Sequence, residues 1–317
     1  MKLMRVGPVG REIPAGLDDH GRVCDLSPVL ADVSGLVRLP GGLPAPLTAT
    51  SRGTGEVIAA AVDAGCRRIV LGIGGSASTD GGTGIAQALG ARLTDRHGQA
   101  IEPGGVGLGE IAAIDLGPLR ERMAGVRVLV ACDVDNPLCG PQGAAAVYGP
   151  QKGATPEQVV LLDRVLSRYA DVVAATTGVD HREAAGAGAA GGIGFALLAL
   201  LDAELRSGIE LVLSLTGFEQ RLAGADLVVT GEGSLDEQTL RGKAVAGVAA
   251  RSRGVPVVAV CGRTTLSPAQ LQTAGIDRAY ALSDLEPDVA RSMQDAAPLL
   301  EELGARIGAT MAHEVTA

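Results

Sequence analysis

A chain of 317 residues is long for one ordinary core and short for three, so two α/β lobes are expected. With 46% hydrophobic but only 2% aromatic residues and no Trp, the interior must be built from Ala, Val, Leu and Ile, and stacking platforms for bases are missing. A net charge of −9 argues against a partner that presents a phosphate backbone, so no nucleic acid is expected.

The first residues carry Lys2 and Arg5 without an apolar h-region, and no secretory signal is expected. Residues 7–25 read as a Gly- and Pro-punctuated hairpin. A helix over 55–65 ends at a glycine, a strand over 68–73 follows, and a glycine-rich loop leads into a short helix near 84–89. Residues 93–109 read as a second hairpin. An apolar strand over 126–131 runs into Cys132-Asp133-Val134-Asp135-Asn136-Pro137.

The spacing of Val159, Leu162, Val165, Leu166 and Tyr169 predicts a long amphipathic helix over 155–174, with Thr155 as N-cap and Pro156 at its first position. Residues 191–205 are apolar almost all round and read as a buried helix. The strands over 226–230 and 256–260 lead into the loops GEGSLDEQT and CGRTT. Helix, short β-branched strand and polar loop in alternation are the grammar of a parallel sheet, and ligands of such sheets bind at the strands' carboxyl ends.

The apolar run at 193–201 stops at Asp202, far short of the ~18 to 20 residues a membrane span needs, so no membrane partner is expected. Cys24, Cys66, Cys132, Cys139 and Cys261 read as buried reduced thiols. A cytoplasmic location is expected, and a homo-oligomeric state is left open.

The loop Gly72-Ile-Gly74-Gly75-Ser76-Ala-Ser78-Thr79-Asp80-Gly-Gly-Thr-Gly84 lets backbone N–H groups approach an anion, with the following helix N-terminus adding a favourable dipole. Gly186-Ala-Gly188-Ala-Ala-Gly191 spells GxGxxG, but charged residues precede it where a dinucleotide site needs a buried strand. It remains a phosphate-binding helix start or a close packing surface. Walker A, protein-kinase and GxSxG motifs are absent, and His20, His97, His181 and His313 lack zinc spacing.

Phosphoryl transfer would then need cations on the phosphates, a carboxylate for Mg²⁺ and a base near the acceptor hydroxyl. Thr230-Gly231-Glu232-Gly233-Ser234-Leu-Asp236-Glu237-Gln238-Thr239, followed by Arg241-Gly-Lys243, offers acids, hydroxyls and a Lys. Asp133 and the turn carrying Lys152 add another of each.

The motifs GIGGSASTDGG, CDVDNPL, YGPQKGAT, GAGAAGGIG and TGEGSLDEQTLRGK, in that order, resemble the class I glycerate kinase family. The resemblance implies ATP-dependent phosphorylation of D-glycerate to 2-phosphoglycerate, or in some members 3-phosphoglycerate, with Mg²⁺. It also implies two lobes with the active-site cleft between them. Residues 44–92 and 222–317 would form the Rossmann-like lobe with a parallel sheet, lacking its first βα unit. Residues 1–43 and 93–221 would form the smaller mixed α/β lobe.

Carried over motif by motif, Asp80, Asp133, Asp236 and Lys243 are the candidate catalytic residues. Gly74, Gly75, Ser76, Ser78, Lys152, Gly188, Gly231, Glu232 and Ser234 are the candidate substrate- and nucleotide-binding set. Asp236 and Asp133 are the candidate Mg²⁺ ligands; base or metal falls to Asp236 or Asp80, and Lys243 with Lys152 faces phosphate. The resemblance further implies an opening Asp-Ser-Phe-Lys-Gly unit, whereas Met1 onward resembles the segment that follows it. On that ground the 317 residues are expected to form a weak or inactive kinase, the alternative being a glycerate-binding or regulatory homologue.

Overall fold

The structure, a computed structural model, describes residues 3–6, 13–17, 23–25, 45–237, 239–241 and 244–315. They fall into two compact units, Met1–Arg206 and Ser207–Ala317.

The first unit opens with β1 (Leu3–Val6), β2 (Ile13–Leu17) and β3 (Val23–Asp25), an antiparallel sheet in that order. β2 and β3 supply the hairpin expected over 7–25. Then come α1 (Arg52–Asp63), β4 (Arg68–Gly72), α2 (Thr83–Ala88), β5 (Arg92–Thr94) and β6 (Ala113–Asp115). They are followed by α3 (Gly117–Arg122), β7 (Arg127–Ala131), α4 (Ala144–Tyr148), α5 (Pro156–Thr177), α6 (Ala189–Leu201) and β8 (Glu204–Arg206). Strands β4, β7 and β8 form a parallel sheet in that order, with Ile69 beside Val128 and Leu71 beside Val130. Residues 44–92 and 93–221 therefore share one sheet across the β4–β7 pairing.

Helix α5 starts where its sequence says. Thr155 Oγ1 accepts from the Gln158 N–H while Gln158 Oε1 accepts from the Thr155 N–H, a reciprocal cap. Its apolar stripe buries Leu162, Val165, Leu166, Tyr169 and Val173. Against it lies Phe195 of α6, edge-on to Tyr169 with ring centroids 5.4 Å apart, an arrangement that adds to the area the rings bury.

Two expectations need correction in this unit. The second hairpin pairs β5 with β6, beyond the expected end at 109, because residues 105–110 coil into a 3₁₀ turn. Nor is the apolar stretch at 191–205 one helix. Ala190, Gly191 and Gly192 adopt left-handed backbone (φ 55°, 72° and 90°), so the helix restarts after them; it closes at Asp202, and β8 follows.

The second unit contains α7 (Gly208–Leu215), α8 (Phe218–Leu222), β9 (Val228–Leu235), α9 (Ala244–Arg251) and β10 (Val257–Thr264). It ends with α10 (Pro268–Thr273), β11 (Arg278–Ala281), α11 (Val289–Gln294) and α12 (Ala296–Val315). Its parallel sheet runs β11-β10-β9. Val257, Ala259 and Cys261 point into a core with Leu235, Val245, Ala249, Leu271 and Ile276. Both strands overrun their expected ends. Gly231, Glu232 and Ser234 pair with Val260, Cys261 and Arg263, so the GEGSL and CGRT segments are strand, not loop.

The fold class is α/β with parallel sheets, as expected, and no closed barrel occurs among the described residues. No described helix is long and apolar enough to cross a membrane.

Candidate active site

The loop after β4 is organised by Asp80, which is fully buried. Its Oδ2 accepts from the Ser51 N–H (2.7 Å), Ser51 Oγ (2.9 Å), the Gly84 N–H (3.2 Å) and Thr50 Oγ1 (3.3 Å), and its Oδ1 from the Gly82 N–H (3.1 Å). The carboxylate thus ties the segment entering α1 to the first turn of α2, where anionic oxygen is favoured by the helix dipole. Ser51 in turn accepts from the Ile85 N–H at 3.1 Å, capping α2 and not its own helix. Every hydrogen bond to Asp80 comes from the loop's own scaffold.

Lys152 sits on a 3₁₀ turn before α5. Its half-buried ammonium donates to the Ser78 carbonyl (2.5 Å) and to Ser76 Oγ (3.0 Å). Burial pushes its pKa down to about 8, against the opposing pull of the Asp80 carboxylate. The left-handed turn at 190–192 packs onto the same loop: the Gly81 N–H donates to the Gly191 carbonyl at 3.0 Å. A Cβ at Gly191 would lie 2.1 Å from the Ser78 carbonyl oxygen and 2.9 Å from Lys152 Nζ.

The same turn reaches the segment after β7. The Gly188 N–H donates to the Asn136 carbonyl at 2.8 Å, and a Cβ on Gly188 would strike the Pro137 carbonyl. Asn136 is itself fixed by Tyr148, whose hydroxyl donates to Oδ1 at 2.6 Å. Asp133 is exposed on this segment, and Gly74 and Gly75 are exposed beyond β4. The first unit therefore gathers Ser76, Ser78, Lys152, Gly188 and Gly191 around one turn. A half-buried ammonium beside a hydroxyl and exposed glycines can receive a carboxylate or phosphate oxygen.

In the second unit, Gly231, Glu232 and Ser234 lie on β9. The Thr239 hydroxyl donates to Glu232 Oε1, and it accepts from the Asp236 N–H at 3.2 Å, closing the strand's end into a turn. Ser234 Oγ accepts from Arg263 Nε at 3.4 Å. Asp236 is half-buried, and Lys243 lies outside the described residues.

Thr50, Ser51, Gly191, Thr239 and Arg263 were not among the sequence candidates, although Thr239 and Arg263 stand in the GEGSLDEQT and CGRTT runs. No cluster of three or more His, Cys, Asp or Glu side chains suited to a metal occurs among the described residues. Cys66, Cys132, Cys139 and Cys261 are free thiols, only Cys261 fully buried; burial pushes Cys139 up to about 12 and Cys261 up to about 11.

A family model described as the glycerate kinase family matches residues 6–312. The glycerate kinase of Bacillus subtilis is 43% identical over 309 residues, covering 96% of this chain and 80% of that protein. The glycerate 2-kinase of Escherichia coli K12 is 42% identical over 280 residues, covering 87% and 73%. A crystal structure from Salmonella typhimurium LT2, assigned as a glycerate kinase 2, aligns with a TM-score of 0.77 at 41% identity, covering 98% of this chain and 83% of that one.

Proposed function

We propose, from the premise that this chain belongs to the glycerate kinase family, that it transfers the γ-phosphoryl group of ATP to the 2-hydroxyl of D-glycerate. The single observation that carries this reading is the Lys152 ammonium held between Ser76 and Ser78 at a glycine-rich strand end. The name of the E. coli relative favours 2-phosphoglycerate over 3-phosphoglycerate. The setting is the cytoplasm, where ATP is supplied.

In the reaction the glycerate hydroxyl oxygen bonds to the γ-phosphorus, the bond to the β-phosphate oxygen breaks, ADP leaves and the hydroxyl proton passes to a base. Lys152, with the Ser76 hydroxyl, holds an anionic oxygen of one substrate in place. Of the two carboxylates considered for base or metal, Asp80 is fully occupied by five donors from its own scaffold, so it positions the loop. Asp236 takes the chemical role, with Asp133 and Lys243 as further candidates.

Mg²⁺ typically takes one or two carboxylates plus phosphate and water, so the lack of a three-residue cluster among the described residues is compatible with it. Asp236, on the turn that closes β9, is the carboxylate of the second unit that would hold it, and it would neutralise charge on the β- and γ-oxygens when bound.

The test is ADP release with and without D-glycerate, with phosphorus NMR of the product. Glycerate-dependent release and a 2-phosphoglycerate resonance are expected. Glycerate binding by calorimetry without turnover would instead support a binding or regulatory protein.

A further inference from the structure

The second unit contains a cavity of about 1140 Å³ that the reading above does not use. Its floor is the sheet face turned away from the unit's core. Parallel pairing puts Val229 beside Val258 and Gly231 beside Val260, so β9 presents Val229, Gly231 and Gly233 on that face, and β10 presents Val260 and Gly262. Three of these five positions are glycine, which leaves bare backbone where strand side chains would stand. Opposite the floor are α11 and α12, through Met293 and Leu300.

We infer that this cavity receives the purine nucleoside of ATP. The inference rests on the kinase reading and adds to it the place of the nucleotide. Size is the first reason, since ligand pockets of ~300–1,000 Å³ enclose drug-sized molecules and a three-carbon acid would rattle in such a space. Chemistry is the second: the lining is mainly apolar, and a sheet face with glycine at three of its five positions leaves room for a flat ring that a floor wholly of Val or Ile would exclude. Position is the third, because the lining extends past the middle of both parallel strands, to Gly233 of β9 and Arg263 of β10, toward their carboxyl ends.

The rim supplies the fourth reason. Arg263 lies on it, exposed, donating to Ser234 at 3.4 Å, and its guanidinium makes no ion pair among the described residues. A guanidinium there suits a phosphate oxygen.

Two substitutions test this without disturbing the fold. A Cβ added at Gly233 or at Gly304 of α12 meets nothing within 4 Å. Gly233→Val raises strand propensity and Gly304→Leu raises helix propensity, and both fill the cavity. With melting temperatures unchanged, each should raise KM for ATP about tenfold or more, and KM for D-glycerate should stay within about twofold, as for loss of ground-state binding to one substrate. Folded variants that keep the wild-type KM for ATP would overturn the inference.

Photolabelling of the full wild-type chain with 2-azido-ATP gives a second readout independent of the variants. Label is expected on β9, β10, α11 or α12 and should be competed by ATP; label confined to the first unit would also overturn it. A wild-type chain labelled here but unable to phosphorylate D-glycerate would sink the kinase reading and leave the nucleoside site standing.

Discussion

The carboxylate of Asp80 accepts hydrogen bonds from both the backbone N–H and the hydroxyl of Ser51, at 2.7 and 2.9 Å. Asp80→Asn would turn an amide N–H₂ toward donors that need an acceptor, and each buried group left unsatisfied costs ~1–3 kcal/mol. The melting temperature should fall by roughly 5–10 °C, at about 2–4 °C per kcal/mol for a unit of this size. A catalytic base would instead give lost turnover at an unchanged melting temperature.

Lys152 yields a pH dependence. Its folded pKa is lowered from 10.5 to about 8, so the ammonium is lost as pH rises through about 8. Between about 8 and 10.5 the unfolded chain binds the extra proton, and this group's contribution to stability rises with pH there. Anion capture moves the other way. The limiting kcat/KM should decline above pH about 8, and Lys152→Arg, which keeps its charge, should remove that break from the profile.

Gly191 and Gly74 make a paired comparison within the site. Gly191→Ala places a Cβ 2.1 Å from the Ser78 carbonyl at a φ of 72°, whereas a Cβ at Gly74 meets nothing. The first should cost more than the ~1–2 kcal/mol of left-handed strain alone, because the loop under Lys152 must shift as well. Gly74→Ala should stay within about 0.5 kcal/mol. Equal urea midpoints for the two would refute the close approach.

The Tyr169 hydroxyl is buried and finds no hydrogen-bond partner among the described residues. Tyr169→Phe keeps the edge-on contact with Phe195 and removes a desolvated group, so stability should be unchanged or rise by about 1 kcal/mol. A clear loss of stability would show that the hydroxyl is satisfied, for instance by a buried water.

Elements fixed by neighbours in the chain could be read from the sequence. The start of α5 is one, since Thr155, Pro156 and Gln158 make its cap locally. Strand β9 could not be read in full. Two glycines in GEGSL argue against strand on propensity, and only the pairing of Gly231 and Ser234 with β10 overrides them.

The candidate site divides along the same line. Ser76, Ser78 and Lys152 were recognisable as residue types in a glycine-rich setting, but 74 residues separate Lys152 from Ser78, and no local signal joins them. Asp80 reads in the sequence as an acid among hydroxyls, and only the fold shows the five donors gathered around its carboxylate, two of them from Ser51, 29 residues away.

The loop after β4 and the turn before the main run of α6 meet at glycines on both sides: a Cβ on Gly192 would lie 2.7 Å from the Cα of Gly81, and one on Gly81 would lie 2.9 Å from the Tyr169 ring. In most packed contacts a mutation to a larger residue on one side can be rescued by a smaller one on the other. Here neither partner has anything left to give up, because nothing smaller than hydrogen exists. Second-site suppressors of substitutions at Gly192 should therefore be missing from position 81, and they should arise where backbone or ring can move aside.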